Sequence, residues 1–165
     1  MTEAVLRAVM IAASALAAAS SLPGQTTTLT VTGGSTATFD QPTLSDYAAG
    51  YIDGPTISFV VSLAGGASGA THTTTVEICA GSGTLGAGKS ISKLMWQPSD
   101  GSKPWQSITT SCAGAVKASR TVGSQVIASG SSWSGGVRLR MMLDWTDAAS
   151  SYGTSIGMTV AVSTP

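Results

Sequence analysis

Charge is what this chain has least of. Only 10% of its 165 residues are Asp, Glu, Lys or Arg, where roughly 25% is ordinary for a globular domain. Eight basic and eight acidic residues cancel to a formal net charge of zero. Past the first 25 positions the basic residues are Lys89, Lys93, Lys103, Lys117, Arg120, Arg138 and Arg140, and they are scattered. Nucleic-acid binding needs clustered positive charge, so that class is set aside. No basic amphipathic helix is present to seek a membrane surface. Aromatic residues are also few, at 5%. Cysteine occurs twice, at Cys79 and Cys112, with no CxxC pair and no nearby histidine, which argues against redox or metal chemistry.

In place of charge stand Ser, Thr and 20 Gly, with a hydrophobic content of 42%. Such a surface is polar through hydroxyls and backbone. Spaced ion pairs favour exposed helices, whereas Thr and Val favour pleated strands. The balance points to an all-β, extracellular protein.

The N-terminus agrees. Leu6-Arg7 opens an uncharged, alanine-rich run over residues 8–19, followed by Ser20-Ser21-Leu22-Pro23-Gly24-Gln25. A basic residue, a short apolar stretch, small residues and a breaker make the layout of a secretory signal peptide. The run is shorter than the ~20 apolar residues that cross a bilayer. Residues 1–25 are read as the signal, with cleavage between Ala19 and Thr26, and residues 26–165 as one domain. In an exported chain, Cys79 and Cys112 most simply form one disulfide, worth roughly 3–4 kcal/mol in the chain-entropy model.

Period-two alternation supplies the architecture. Ile57, Phe59, Val61 and Leu63 point one way in residues 56–63. Val137, Leu139, Met141, Leu143 and Trp145 share one face of residues 137–145, which places Trp145 in the core. Residues 155–162 repeat the pattern with Ile156, Met158, Val160 and Val162. Residues 26–32, with Leu29 and Val31, and residues 73–79, with Val76 and Ile78, read as further strands. Weaker candidates are 91–96, 107–111, 115–121 and 125–128. Cys79 falls at the parity of Glu77, so either a bulge reverses the face there or the disulfide lies outside the sandwich. Short strands separated by glycine-rich turns predict a single-domain β-sandwich with an immunoglobulin-like or pilin-like Greek key.

Motifs for chemistry are weak. Gly83-Thr84-Leu85-Gly86-Ala87-Gly88-Lys89-Ser90 matches the phosphate-binding pattern GxxxxGK[ST]. Yet Pro98 leaves no room for the helix that such a loop opens, and no βαβ unit surrounds it. It reads as an exposed connector that binds no nucleotide, with Lys89 dispensable. The only histidine, His72, reads as an exposed loop residue, and no GxSxG elbow offers it a serine. Most acids fall in turns. Glu77 and Asp144 on outward faces make a conceivable surface carboxylate pair, and Asp46 and Asp53 a conceivable calcium site. Neither has the spacing of a recognised site, so no catalytic residue, cofactor or metal is expected. Trp96, Trp105, Trp133, Tyr47 and Tyr51 lie in or beside loops. There they either cap the sandwich or stack on sugar rings.

Phe39-Asp40-Gln41-Pro42-Thr43-Leu44, then Ala49-Gly50, then a strand ending Val61-Ser62-Leu63-Ala64-Gly65-Gly66, resembles the opening of the spore coat protein U family. The end, Tyr152-Gly153-Thr154-Ser155-Ile156-Gly157-Met158-Thr159-Val160-Ala161-Val162, is similar to that family's closing strand. The resemblance implies a secreted bacterial β-sandwich subunit, pilin-like, in which a neighbour's strand completes the fold. The functional expectation is therefore an exported, non-enzymatic, self-assembling structural subunit at the cell surface. Leu29 and Val31 would lie on its assembly strand. The alternative is a secreted carbohydrate-binding or adhesin module that uses the loop aromatics.

Overall fold

A computed structural model describes residues 25–33, 35–66, 70–109 and 120–163. The expected cleavage region up to Gly24, and Cys112, lie outside them. Among the described residues, no helix is long and apolar enough to cross a membrane.

The fold is all-β, with two antiparallel sheets packed face to face. In chain order the strands are β1 (Thr26–Val31), β2 (Thr36–Phe39), β3 (Tyr51–Ala64), β4 (Thr71–Ala80), β5 (Leu94–Pro98), β6 (Gln106–Ser107), β7 (Arg120–Ala128), β8 (Ser132–Met142) and β9 (Tyr152–Ser163). One sheet has the order β1-β3-β8-β5-β6, the other β2-β9-β4-β7. A six-residue helix α1 (Leu44–Ala49) joins β2 to β3.

The alternating rows form the core as their periodicity requires. Ile57, Phe59, Val61 and Leu63 on β3 are buried, as are Val137, Leu139 and Met141 on β8 and Val76 and Ile78 on β4. Each such side chain contributes roughly 1.5–3 kcal/mol of burial. Register is therefore held firmly, because a one-residue slip would turn a whole row to solvent. The row on β8 stops earlier than period two suggests. Strand pairing ends at Met142, and Asp147 N–H donates to Asp144 O at 2.9 Å to close a turn. Trp145 sits within that turn and is 67% exposed, so it is not a core residue.

Chain order explains how the sheets are joined. β1 pairs with β3, from Thr26 opposite Ala64 to Val31 opposite Phe59. By Thr36 the chain has crossed to the other sheet, where β2 pairs with β9. A bulge interrupts β3 at Gly54-Pro55, between the pairs Asp53–Arg140 and Thr56–Arg138. Glycine is needed there, since a Cβ on Gly54 would stand 2.5 Å from the Phe39 ring.

β9 has a full partner on one side only. β4 pairs with it from Ile156 to Ser163, while β2 covers just Tyr152 to Ser155. Ile156 N–H donates to Ser35 O at 2.7 Å, on the side away from β4. Backbone groups alternate sides along a strand. The N–H groups of Met158, Val160 and Val162 therefore point to an edge that no described residue pairs. Leu29, Val31 and Met158 are only partly buried against the core beside it.

Two helical and loop features were not visible from alternation. Helix α1 is set by a capping box: Thr43 Oγ1 accepts from Asp46 N–H at 3.3 Å, and Asp46 Oδ2 accepts from Thr43 N–H at 2.8 Å. Gly50, at φ 77°, ends it. Those bonds hold the Asp46 carboxyl below its ordinary pKa, with the side-chain hydrogen bond from Thr43 foremost.

Candidate functional site

The loop over residues 83–90 is a closed hairpin. Leu85 N–H donates to Lys89 O, Lys89 N–H to Gly86 O and Ile91 N–H to Gly83 O. The Leu85 and Lys89 amides are therefore turned onto the loop's own carbonyls. Ala87 and Gly88 occupy the turn at φ 48° and 76°, the positive pair that a tight hairpin turn demands. Ala87 is the one described non-glycine residue with positive φ. Ala87→Gly is expected to stabilise the protein by about 0.5–1 kcal/mol, because relief of left-handed strain exceeds the added freedom of the unfolded chain. Urea unfolding of the two proteins measures it.

Lys89 is not an exposed connector residue. Its side chain is 3% exposed, and its Nζ donates to Asp147 Oδ2. The Tyr152 ring lies 5.8 Å from the ammonium. The same Asp147 carboxylate accepts from Asp144 N–H, and the Tyr47 hydroxyl donates to Asp147 O at 3.1 Å. Desolvation works to raise the Asp147 pKa. The hydrogen bond from Lys89, that from the Asp144 amide, and the charges of Lys89 and Lys93 outweigh it and hold the pKa below the ordinary value. Burial, aided by Tyr152 and Asp147, pushes the Tyr47 hydroxyl up. The 144–147 turn is thus clamped from below by an ion pair that joins loops 58 residues apart.

Above that clamp two aromatic rings meet. Tyr47, on α1, stacks on Trp145 with centroids 5.5 Å apart and planes inclined by 20°. One indole face is covered, and the residue remains two-thirds exposed. The Asp144 carboxylate, in the same turn, is exposed.

The other aromatics are placed differently from one another. Trp96 lies on β5, not in a loop, and is fully buried, so it presents no face to a ligand. Trp105 and Tyr51 flank Arg140 on the outer face of the first sheet, at 4.4 and 3.7 Å from the guanidinium. Arg140 also donates to Asp53 through two nitrogens, at 2.7 and 3.2 Å. The cation lies over one face of each ring. Trp133 is half-buried. Its indole N–H donates to Thr74 Oγ1 at 2.7 Å, and it meets Phe59 edge-on. With Phe59, Lys103 and Gln125 it borders a cavity of about 450 Å³ between β7 and β8.

The remaining candidates separate. Asp46 caps α1 and Asp53 pairs with Arg140, so neither is disposed for calcium. Glu77 is buried rather than outward to solvent. His72 is not an exposed loop residue: it lies on β4, 3% exposed, and neither ring nitrogen has a hydrogen-bond partner among the described residues. Cys79 is 1% exposed, and its Sγ lies 3.4 Å from Gly157 O. The bulge at this point belongs to β7, where Val122 is the extra residue between the pairs Val76–Gly123 and Glu77–Thr121. β4 keeps its alternation, so Cys79 stays on the outer face. Leu29 and Val31 are on β1, which completes the sheet of its own chain.

Two of these placements had readable signals. Thr43-x-x-Asp46 followed by Gly50 is a helix start and stop. Aspartates at 144 and 147 mark a turn, which would have lifted Trp145 out of the strand. No family model, curated protein or solved structure matches the chain.

Proposed function

We propose that this protein is an exported, non-enzymatic structural subunit that assembles with copies of itself at the cell surface, with Cys79 and Cys112 joined by a disulfide. The observation that carries the reading is the edge of β9 from Met158 to Val162, which no described residue pairs. An unpaired edge with apolar residues beside it is a ready template for another strand, whose backbone hydrogen bonds supply much of the affinity. The signal-like N-terminus and the low charge, which weakens repulsion between copies, support it. Because β1 completes its own sheet, the contact is the edge of β9 accepting an extended segment of a neighbouring copy. Leu29, Val31 and Met158 would be covered on assembly.

Val162→Pro tests this, since it removes an edge N–H without touching a bond to β4. The expected outcome is a folded monomer, where the wild-type secreted protein forms oligomers in size-exclusion chromatography. Val162→Lys is the second variant, should proline disturb folding, because an edge lysine blocks strand addition. A wild-type protein that stays monomeric, or folded variants that assemble as before, would overturn the reading. Mass analysis of the same secreted material should show an N-terminus between Ala19 and Thr26 and the loss of two hydrogens.

A further inference from the structure

We infer that Trp145, stacked on Tyr47, is a carbohydrate-binding platform for β-linked hexopyranose chains whose substituents are all equatorial. The inference does not rest on the assembly reading, which concerns a different part of the surface.

Three observations lead to it. First, Trp145 is 67% exposed, so a broad, planar apolar surface stands in water within reach of a ligand. Second, the ring is held. Tyr47 covers one face, the Tyr47 hydroxyl donates to Asp147 O, and Asp147 is anchored by the buried Lys89. A ring already fixed loses little entropy on binding. Third, the other three tryptophans are less exposed than Trp145 and are engaged within the fold. Trp96 is buried, Trp105 lies against Arg140, and the Trp133 indole is tied to Thr74 inside the sandwich.

The chemistry selects the ligand class. A pyranose with equatorial hydroxyls presents a flat patch of C–H groups that matches one indole face. Its rim hydroxyls are donors, and the Asp144 carboxylate in the same turn is an exposed acceptor. Axial hydroxyls would lift the ring from the indole.

Calorimetric titration with cellohexaose and with chitohexaose tests the platform. Wild-type protein is expected to bind at least one of them, and Trp145→Ala to weaken that binding roughly tenfold or more. Trp105→Ala should bind like wild type, and Asp144→Asn should lose less than Trp145→Ala. Circular dichroism checks that each variant is folded. Failure of both sugars to bind wild type, or equal binding by folded Trp145→Ala, would overturn the inference. So would self-association that Trp145→Ala abolishes in the absence of sugar binding, because the occupant would then be a second copy. Val162→Pro, which addresses assembly, should leave sugar binding unchanged.

Discussion

Lys89→Ala is expected to destabilise the protein by about 2–4 kcal/mol in urea unfolding. Removing one member of a buried ion pair leaves the other charge uncompensated, which costs about 3–5 kcal/mol in the fully buried case. Here the Asp147 side chain is 17% exposed and keeps its hydrogen bond from the Asp144 amide, so the lower part of the range applies. Lys89→Met retains the stem and should lose somewhat less. Adding Asp147→Asn to Lys89→Met should recover part of the loss, because the stranded charge is gone. The pair also gives stability a defined acid dependence. The Asp147 pKa is lowered on folding, so its contribution is fully present above the unfolded value of about 3.9 and is lost as pH falls through the lower folded value. Lys89→Ala should flatten that acid limb. A change under about 0.5 kcal/mol would return the loop to the status of a solvated connector.

Trp96→Ala should cost about 3–5 kcal/mol and lower the melting temperature by roughly 10 °C or more. Trp96 is fully buried on β5 opposite Leu139, so truncation opens a cavity at the centre of the packed sheets. Its indole N–H has no hydrogen-bond partner among the described residues. Trp96→Phe should therefore cost much less, because the unpaired polar group leaves with the lost volume. Equal losses in the two variants would show that the N–H is satisfied in solution. Sugar binding should survive Trp96→Phe, which separates this core residue from the exposed Trp145.

What the sequence made legible was the sheet, and the reason is physical. Burial on one face forces period two, so Ile57 to Leu63 and Val137 to Met141 announce themselves. The pattern does not say where pairing stops. Trp145 has the right parity for the β8 row, yet an Asp144–Asp147 hydrogen bond turns the chain before it. Lys89 was misleading for a different reason. Its partner Asp147 lies 58 residues away, and local spacing carries no trace of such a meeting. His72 sits in a run of threonines that looks solvated, but alternation places it on the buried side of β4 with Thr74 and Val76. Among the aromatics, composition told how many there are, while only packing distinguishes the buried Trp96 from the rings beside Arg140.

The position of β9 has a consequence for the order of events during synthesis. Among the described residues it is the last strand along the chain, but in its sheet it stands between β2 and β4. Its partners are therefore made long before it, and among the described residues β9 is the strand that β2 pairs with. A chain that still lacks β9 cannot close this sheet. Such long-range pairing slows folding. Closure of this sheet waits for the stretch from Tyr152 to Ser163, which pairs with both neighbours.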